Sequence, residues 1–237
     1  MSGGSLVTPA VRQRIRGLAV PIALALGRLG LTPNALTVIG FLGTCAAAVA
    51  AALQAWALAG VLVLVFGIFD LFDGALARAT GRASRFGAFL DSTLDRTGEN
   101  LVYVGIVIGS GAAGYLVGSG LGALALALAS VVTYTRAKAE AVGLHGEVGV
   151  APRPERLVLL AAGLIGTGAL GGLAGAAGAV SWPEQWLTTV DGSWALFLSL
   201  ALIAGLSGIT VIQRIVHVRS QLDQQGTAAP QGGARER

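Results

Sequence analysis

Six stretches of predominantly apolar residues lie near 34–54, 57–80, 85–111, 114–142, 156–180 and 193–218. Each approaches or exceeds the roughly 20 residues a helix needs to cross a bilayer. In hydrocarbon every backbone polar group must be satisfied inside the protein, so runs of this length leave few folds open. The predicted fold class is an all-α integral membrane protein with six transmembrane helices. Composition agrees, since 54% of the 237 residues are hydrophobic and only 12% are charged. A net charge of +4 in such a chain reports orientation and anionic headgroups, so membrane lipids are expected partners and nucleic acid is not. The single cysteine, Cys45, rules out a disulfide framework or a cysteine metal site within the chain.

Residues 1–33 read as a cytosolic N-terminus with an amphipathic juxtamembrane helix. Val11, Ile15, Leu18, Ile22 and Leu26 recur at steps of three or four beside Arg12, Arg14 and Arg16, while Pro21 and Arg28 interrupt any signal-peptide reading. Residues 34–220 form the six-helix domain, and the polar, Gly/Pro-containing segment 221–237 reads as a disordered cytosolic tail. The connections near Gln54, near Gly111 and across 181–192 hold none of the 16 Lys and Arg residues. Positive-inside logic therefore puts both termini and the mouths of the second and third helices in the cytosol of a multi-pass cell (plasma) membrane protein. Trp56, Trp182, Trp186 and Trp194 flank the arginine-free side, as interfacial tryptophans do. The fifth helix, rich in glycine and alanine, reads as a close-packing surface within the bundle or between protomers.

Against this background four carboxylates stand out. Asp70 and Asp73 are three residues apart, and Asp91 and Asp95 four apart, so each pair shares one helical face. The turn around "TGRAS" makes the two helices antiparallel neighbours, and a rise of about 1.5 Å per residue puts the carboxylates roughly 10–15 Å inside the cytosolic leaflet. A charged Asp at mid-helix costs about 2.5–3.5 kcal/mol on insertion scales, so something positive must compensate. Protons, monovalent ions, basic side chains and divalent cations are all candidates. Oxygen-only ligands favour Mg2+ or Mn2+ over zinc. Pairing with Arg78, Arg82, Arg85 or Arg96 is the purely structural option. Gly74 and Ala77 clear space for a ligand, Gly87 would let the two helices close up, and Arg78 is placed to meet a phosphate or a base edge.

The stretch from Asp70 to Asp95 resembles the signature of the CDP-alcohol phosphatidyltransferase family, D-x2-D-G-x2-A-R-x8-G-x3-D-x3-D. Asp70, Asp73, Gly74, Ala77, Arg78, Gly87, Asp91 and Asp95 keep every spacing. The resemblance implies a six-helix enzyme in which an acceptor hydroxyl attacks the lipid-linked phosphate of CDP-diacylglycerol and releases CMP. It further implies two divalent cations, Mg2+ or Mn2+, held by Asp70, Asp73 and Asp91 with Asp95 touching a metal and acting as the base. It places Pro33, Asn34, Gly74, Arg78 and Ser84 on the CDP-lipid, and it implies a homodimer. Thr32, Pro33 and Asn34 also suit simple helix capping.

For the acceptor, the block "YTRAKAEAVGLHGEVGVAPRPERL" and the late pair Gln213-Arg214 resemble the actinobacterial phosphatidylinositol-phosphate synthases within that family. This implies inositol phosphate as acceptor, with Arg136, Lys138, Arg153, Arg156 and Arg214 on its phosphate. The order Arg136 then Lys138 departs from the Lys-then-Arg order of that group. Glycerol phosphate, also anionic, is the alternative acceptor. A carboxylate-lined ion transporter is the non-enzyme alternative, disfavoured by the absence of visible inverted repeats or interrupted helices. Glu99 continues the Asp91/Asp95 face and could pair with Arg96.

Overall fold

A computed structural model describes residues 9–150, 152–173 and 192–228. Among these the chain forms eight helices: α1 (Pro9–Arg28), α2 (Pro33–Ala52), α3 (Trp56–Gly67), α4 (Phe69–Ala79), α5 (Arg85–Ala112), α6 (Leu116–Ala141), α7 (Arg153–Ala169) and α8 (Gly192–Ala228). The structure is all-helical over the described residues. Among the described residues four segments are long and apolar enough to cross a membrane: Pro33–Ala52, Trp56–Ala79, Leu116–Ala141 and Gly192–Gln224.

Local chemistry sets the boundaries. Thr32 caps α2, its hydroxyl accepting from the Ala35 N–H at 3.2 Å, and Pro33 follows where a missing N–H costs nothing. Ser84 caps α5 in the same way, accepting from Gly87 N–H at 3.0 Å. The second expected helix is interrupted at Ile68, between α3 and α4, where Leu71 N–H bonds Ile68 O at 2.9 Å in a tighter i→i+3 turn beside Gly67. This corrects the expectation of unbroken helices. Its consequence is that Asp70 sits in the first turn of α4.

Three further expectations change. The fifth helix, expected over 156–180, starts at Arg153 behind Pro152 and ends at Ala169. There the Gly172 N–H reaches back to Thr167 O at 2.8 Å, with Gly171 and Gly172 at positive φ. The tail expected to be disordered from 221 is helical to Ala228. Its Gln221 side chain accepts from His145 N–H at 3.1 Å and donates to His145 O at 2.8 Å, which fastens α8 to the α6–α7 loop. Trp56, expected at the interface, is 2% exposed in the core. Trp182, Trp186, and residues 174–191 and 229–237 lie outside the described residues.

α2 is the central packing element, lying most extensively against α5 and also against α3 and α4. The contact with α5 is made possible by Gly98, Gly105 and Gly109, where an added Cβ would meet Thr44, the Ala48 carbonyl and the Ala51 carbonyl. The glycines of α7 are used inside the bundle: a Cβ at Gly163 would meet Ser199 of α8, and one at Gly168 would meet Ala57 of α3. Leu42, Val49, Leu58, Val61, Leu198, Leu202 and Ile212 point outward, an apolar surface suited to lipid. α1 packs on α4 through Ala19 and Ala23 against Ala75 and Leu76. Ile22, a member of the expected stripe, is instead 48% exposed, because small residues allow the closest approach to α4. The side chains of Val11, Ile15 and Leu18 are outside the described residues.

Gly105→Val should therefore lower stability by about 1–3 kcal/mol, the usual cost of overpacking. Gly120→Ala, with nothing within 4 Å of its added Cβ, should be neutral or mildly stabilising. Thermal unfolding in detergent distinguishes the two.

Candidate active site

α4 and α5 deliver their carboxylates to one place. Single oxygens of Asp70, Asp91 and Asp95 all lie within 4.8 Å of one another. Asp73, 5% exposed, stands beside this trio and accepts from the Thr37 hydroxyl at 2.6 Å. Asp91 Oδ1 is buried and has no hydrogen-bond partner among the described residues. Clustered carboxylates with an unsatisfied oxygen and no nitrogen or sulfur donor are the ligand set of a hard divalent cation, so these residues fit Mg2+ or Mn2+.

The basic partner is Arg153, at the start of α7. Its Nη1 donates to Asp70 Oδ2 at 2.8 Å and to Asp95 Oδ2, and its Nη2 reaches Asp95 O at 3.5 Å. No ion pair from Arg78, Arg82, Arg85 or Arg96 to the aspartates is present among the described residues. Arg96 donates to Ser92 O, which leaves Glu99 to a different partner. Arg156 donates to both oxygens of Glu99, at 3.0 and 3.1 Å, and these two side chains are 2% and 3% exposed. Arg153 Nε lies 3.9 Å from Glu99 Oε2.

Two clefts meet at this cluster. The outer one, an open cleft of about 220 Å³, is lined by Pro33, Asn34, Thr37, Asp73, Gly74, Ala77, Arg78, Arg82, Ser84, Gly87 and Asp91. All five residues expected on the CDP-lipid share this cleft. Gly87 does not serve to close α4 on α5; a Cβ there would meet Asn34 Oδ1 and Ser84 Oγ, each at 3.1 Å, so it keeps the cleft floor open. The inner cleft is lined by Thr37, Phe66, Asp70, Asp73, Asp95, Glu99 and Arg153 among others. Thr37 and Asp73 belong to both. Sequence reasoning missed Thr37 and Arg82. Thr37 follows Pro33 by four residues on one face of α2, a polar side chain in an apolar run, and that spacing was the available signal.

The five cations expected to form an open acceptor pocket divide. Arg153 faces the carboxylates. Arg156 is buried and pairs with Glu99: an arginine taken out of water needs a partner of opposite charge. Arg214 is 8% exposed and donates to Val148 O at 2.8 Å and to Val132 O, tying α8 to α6 and the following loop. Arg136 pairs with Glu140 at 2.8 Å and with Glu147, and Lys138 is exposed.

A sequence model described as CDP-alcohol phosphatidyltransferase matches residues 30–190. A phosphatidylinositol phosphate synthase from Mycobacteroides abscessus is 34% identical over 218 residues, covering 88% of this chain and 87% of the relative. An archaetidylinositol phosphate synthase from Pyrococcus horikoshii is 34% identical over 220 residues, covering 92% and 98%. Among solved structures, the Mycobacterium tuberculosis phosphatidylinositol phosphate synthase with CDP-DAG bound superposes with a TM-score of 0.70 at 32% identity, over 84% of this chain and 92% of that one. The same enzyme in complex with manganese and citrate gives 0.67 at 31%, over 85% and 89%.

Glu99→Ala should leave the Arg156 guanidinium buried without its carboxylate and destabilise the protein by about 3–5 kcal/mol. Adding Arg156→Met should recover most of that loss. Denaturation of both variants in detergent checks this, and a neutral Glu99→Ala would show that the pair does not hold α5 to α7.

Proposed function

The chain belongs to the CDP-alcohol phosphatidyltransferase family, and we propose that it transfers the phosphatidyl group of CDP-diacylglycerol to inositol phosphate, giving phosphatidylinositol phosphate and CMP. One observation carries this reading. Pro33, Asn34, Gly74, Arg78 and Ser84 wall a single cleft that ends on Asp73 and Asp91, while Asp70 and Asp95 face the acceptor-side arginine Arg153. The two relatives described above differ in the lipid half of their names and agree in inositol phosphate, which supports that acceptor.

In this reading the donor nucleotide enters the outer cleft. Arg78 and Arg82 meet its phosphates or base, and Gly74 and Ala77 leave room for its approach. The Ser84 hydroxyl, already accepting from Gly87, keeps its proton for a ligand oxygen. Two divalent cations, Mg2+ or Mn2+, fit Asp70, Asp73, Asp91 and Asp95, and when bound supply charge stabilisation for the transferring phosphoryl oxygens and the leaving CMP. Thr37 fixes the Asp73 carboxylate. Asp95 takes the proton of the acceptor hydroxyl as that oxygen bonds to the lipid-linked phosphorus, and the bond to CMP breaks with its electron pair leaving on CMP. Arg136, Lys138 and Arg153 bind the acceptor phosphate. Arg156 and Arg214 hold the backbone and Glu99 around them.

The membrane arrangement we propose has six spans, formed by α2, α3 with α4, α5, α6, α7 and α8, with α1 as a juxtamembrane helix docked on α4. Lipids cover the outward apolar faces. The distribution of Lys and Arg supports a plasma-membrane orientation with both termini and the active site cytosolic, residues 34–220 forming the catalytic domain between an N-terminal segment and a C-terminal tail. We further propose a homodimer, whose contact lies on outward apolar faces because the α7 glycines pack within the bundle.

CMP release by the full chain in detergent, with inositol phosphate, free inositol or glycerol phosphate as acceptor, tests the assignment. Inositol phosphate should be used far more efficiently than the other two; equal use of free inositol would refute a phosphate-reading acceptor site. Asp95→Asn should retain CDP-lipid binding while CMP release falls about 100- to 10,000-fold, the usual contribution of a general base. Unchanged turnover would remove Asp95 from that role.

A further inference from the structure

Arg153 sits where the carboxylate cluster meets the acceptor side. We propose that its guanidinium is a tethered cation that competes with divalent cations for Asp70 and Asp95 and, once displaced, is presented to the acceptor phosphate. Cation and acceptor then bind with positive coupling through this one side chain. The proposal rests on the reading of the aspartates as a divalent-cation site.

Four observations support it. Arg153 Nη1 bonds both Asp70 Oδ2 and Asp95 Oδ2, so one positive group bridges two helices at the carboxylates that would hold a metal. A divalent ion binding those oxygens would repel the guanidinium at close range. The other side of Arg153 is held weakly: Glu99 is 3.9 Å from its Nε, and both Glu99 oxygens already accept from Arg156. Arg153 Nε is a buried donor with no hydrogen-bond partner among the described residues, which is the condition of a group awaiting an acceptor. Pro152 and Pro154 flank it, so the backbone at the start of α7 is stiff and the exchange falls to the flexible side chain.

Charge arithmetic gives the direction. Glu99 and Arg156 neutralise each other, and the single charge of Arg153 offsets only one of the two on Asp70 and Asp95. When divalent charge replaces Arg153 on the aspartates, an uncompensated guanidinium is left beside the inner cleft, and a dianionic phosphate satisfies it with charge-assisted hydrogen bonds. Linkage makes the effect reciprocal, so the acceptor must raise cation affinity by the factor that the cation raises acceptor affinity.

The test uses the full chain in detergent with Mn2+ as probe, free Mn2+ being read by electron paramagnetic resonance with and without saturating inositol phosphate. In the wild-type protein the acceptor should tighten Mn2+ binding by at least about 5-fold, the lower end of ordinary coupling. Arg153→Gln should bind Mn2+ more tightly than wild type when no acceptor is present, and its coupling should collapse toward onefold. No effect of inositol phosphate on wild-type Mn2+ affinity overturns the proposal without recourse to any variant. Wild-type affinity and coupling in Arg153→Gln overturn it too, while leaving the metal site in place. If Asp91→Asn binds Mn2+ as wild type does, the metal-site reading fails and takes this proposal with it.

Discussion

The arrangement of the inner site follows from the cost of holding like-charged carboxylates inside a membrane-embedded bundle. Asp70, Asp91 and Asp95 come within 4.8 Å of one another, and charge of that density away from water needs a positive partner. Arg153 supplies one between Asp70 of α4 and Asp95 of α5. Glu99, one turn deeper on α5, then anchors Arg156 of the same α7 turn. The result is a ladder of alternating charge that binds α7 across α4 and α5 near their active ends. Each rung is stable only in company, since removing one member strands a buried charge.

Around this ladder the bundle is shaped by small residues. Gly40, one turn beyond Thr37, lets α2 come close to α4, where an added Cβ would meet Phe69 Cβ at 3.1 Å, and Thr37 reaches Asp73 across the same contact. Thr37 and Asp73 stand at the wall between the outer and inner clefts, the point where a donor entering from one side and an acceptor from the other would meet. Proximity of this kind, with both partners held against one charged cluster, is a large part of what an enzyme can contribute to a displacement at phosphorus.

Much of this was legible in the sequence. Apolar run length and the spacing of Asp70, Asp73, Asp91 and Asp95 are local properties, and they located the helices and the carboxylate faces. Residues whose role is set by a single turn, such as Ser84 and Pro33, share one cleft with Asn34, Gly74 and Arg78. What was not legible depends on distant partners. Arg156 and Glu99 are 57 positions apart, and nothing local says that they pair and thereby remove Arg156 from an open pocket. Ile22 satisfies a helical stripe, yet Ala19 and Ala23 are buried, because closeness to α4 rewards small side chains over large ones. The end of α7 at Ala169 is set by Gly171 and Gly172 in left-handed conformations, which a run of small apolar residues conceals.

The central claim is that aspartates from α4 and α5 form one divalent-cation site at the junction of two clefts. Anomalous diffraction at the manganese edge, from crystals of the full chain grown with Mn2+, tests it most directly. The account predicts anomalous peaks within roughly 2.0–2.6 Å of carboxylate oxygens from Asp70 and Asp91, the usual range for oxygen-bound divalent cations, with Arg153 withdrawn from Asp70 and Asp95. Manganese bound only elsewhere on the protein, with Arg153 still bridging those two aspartates, would contradict it.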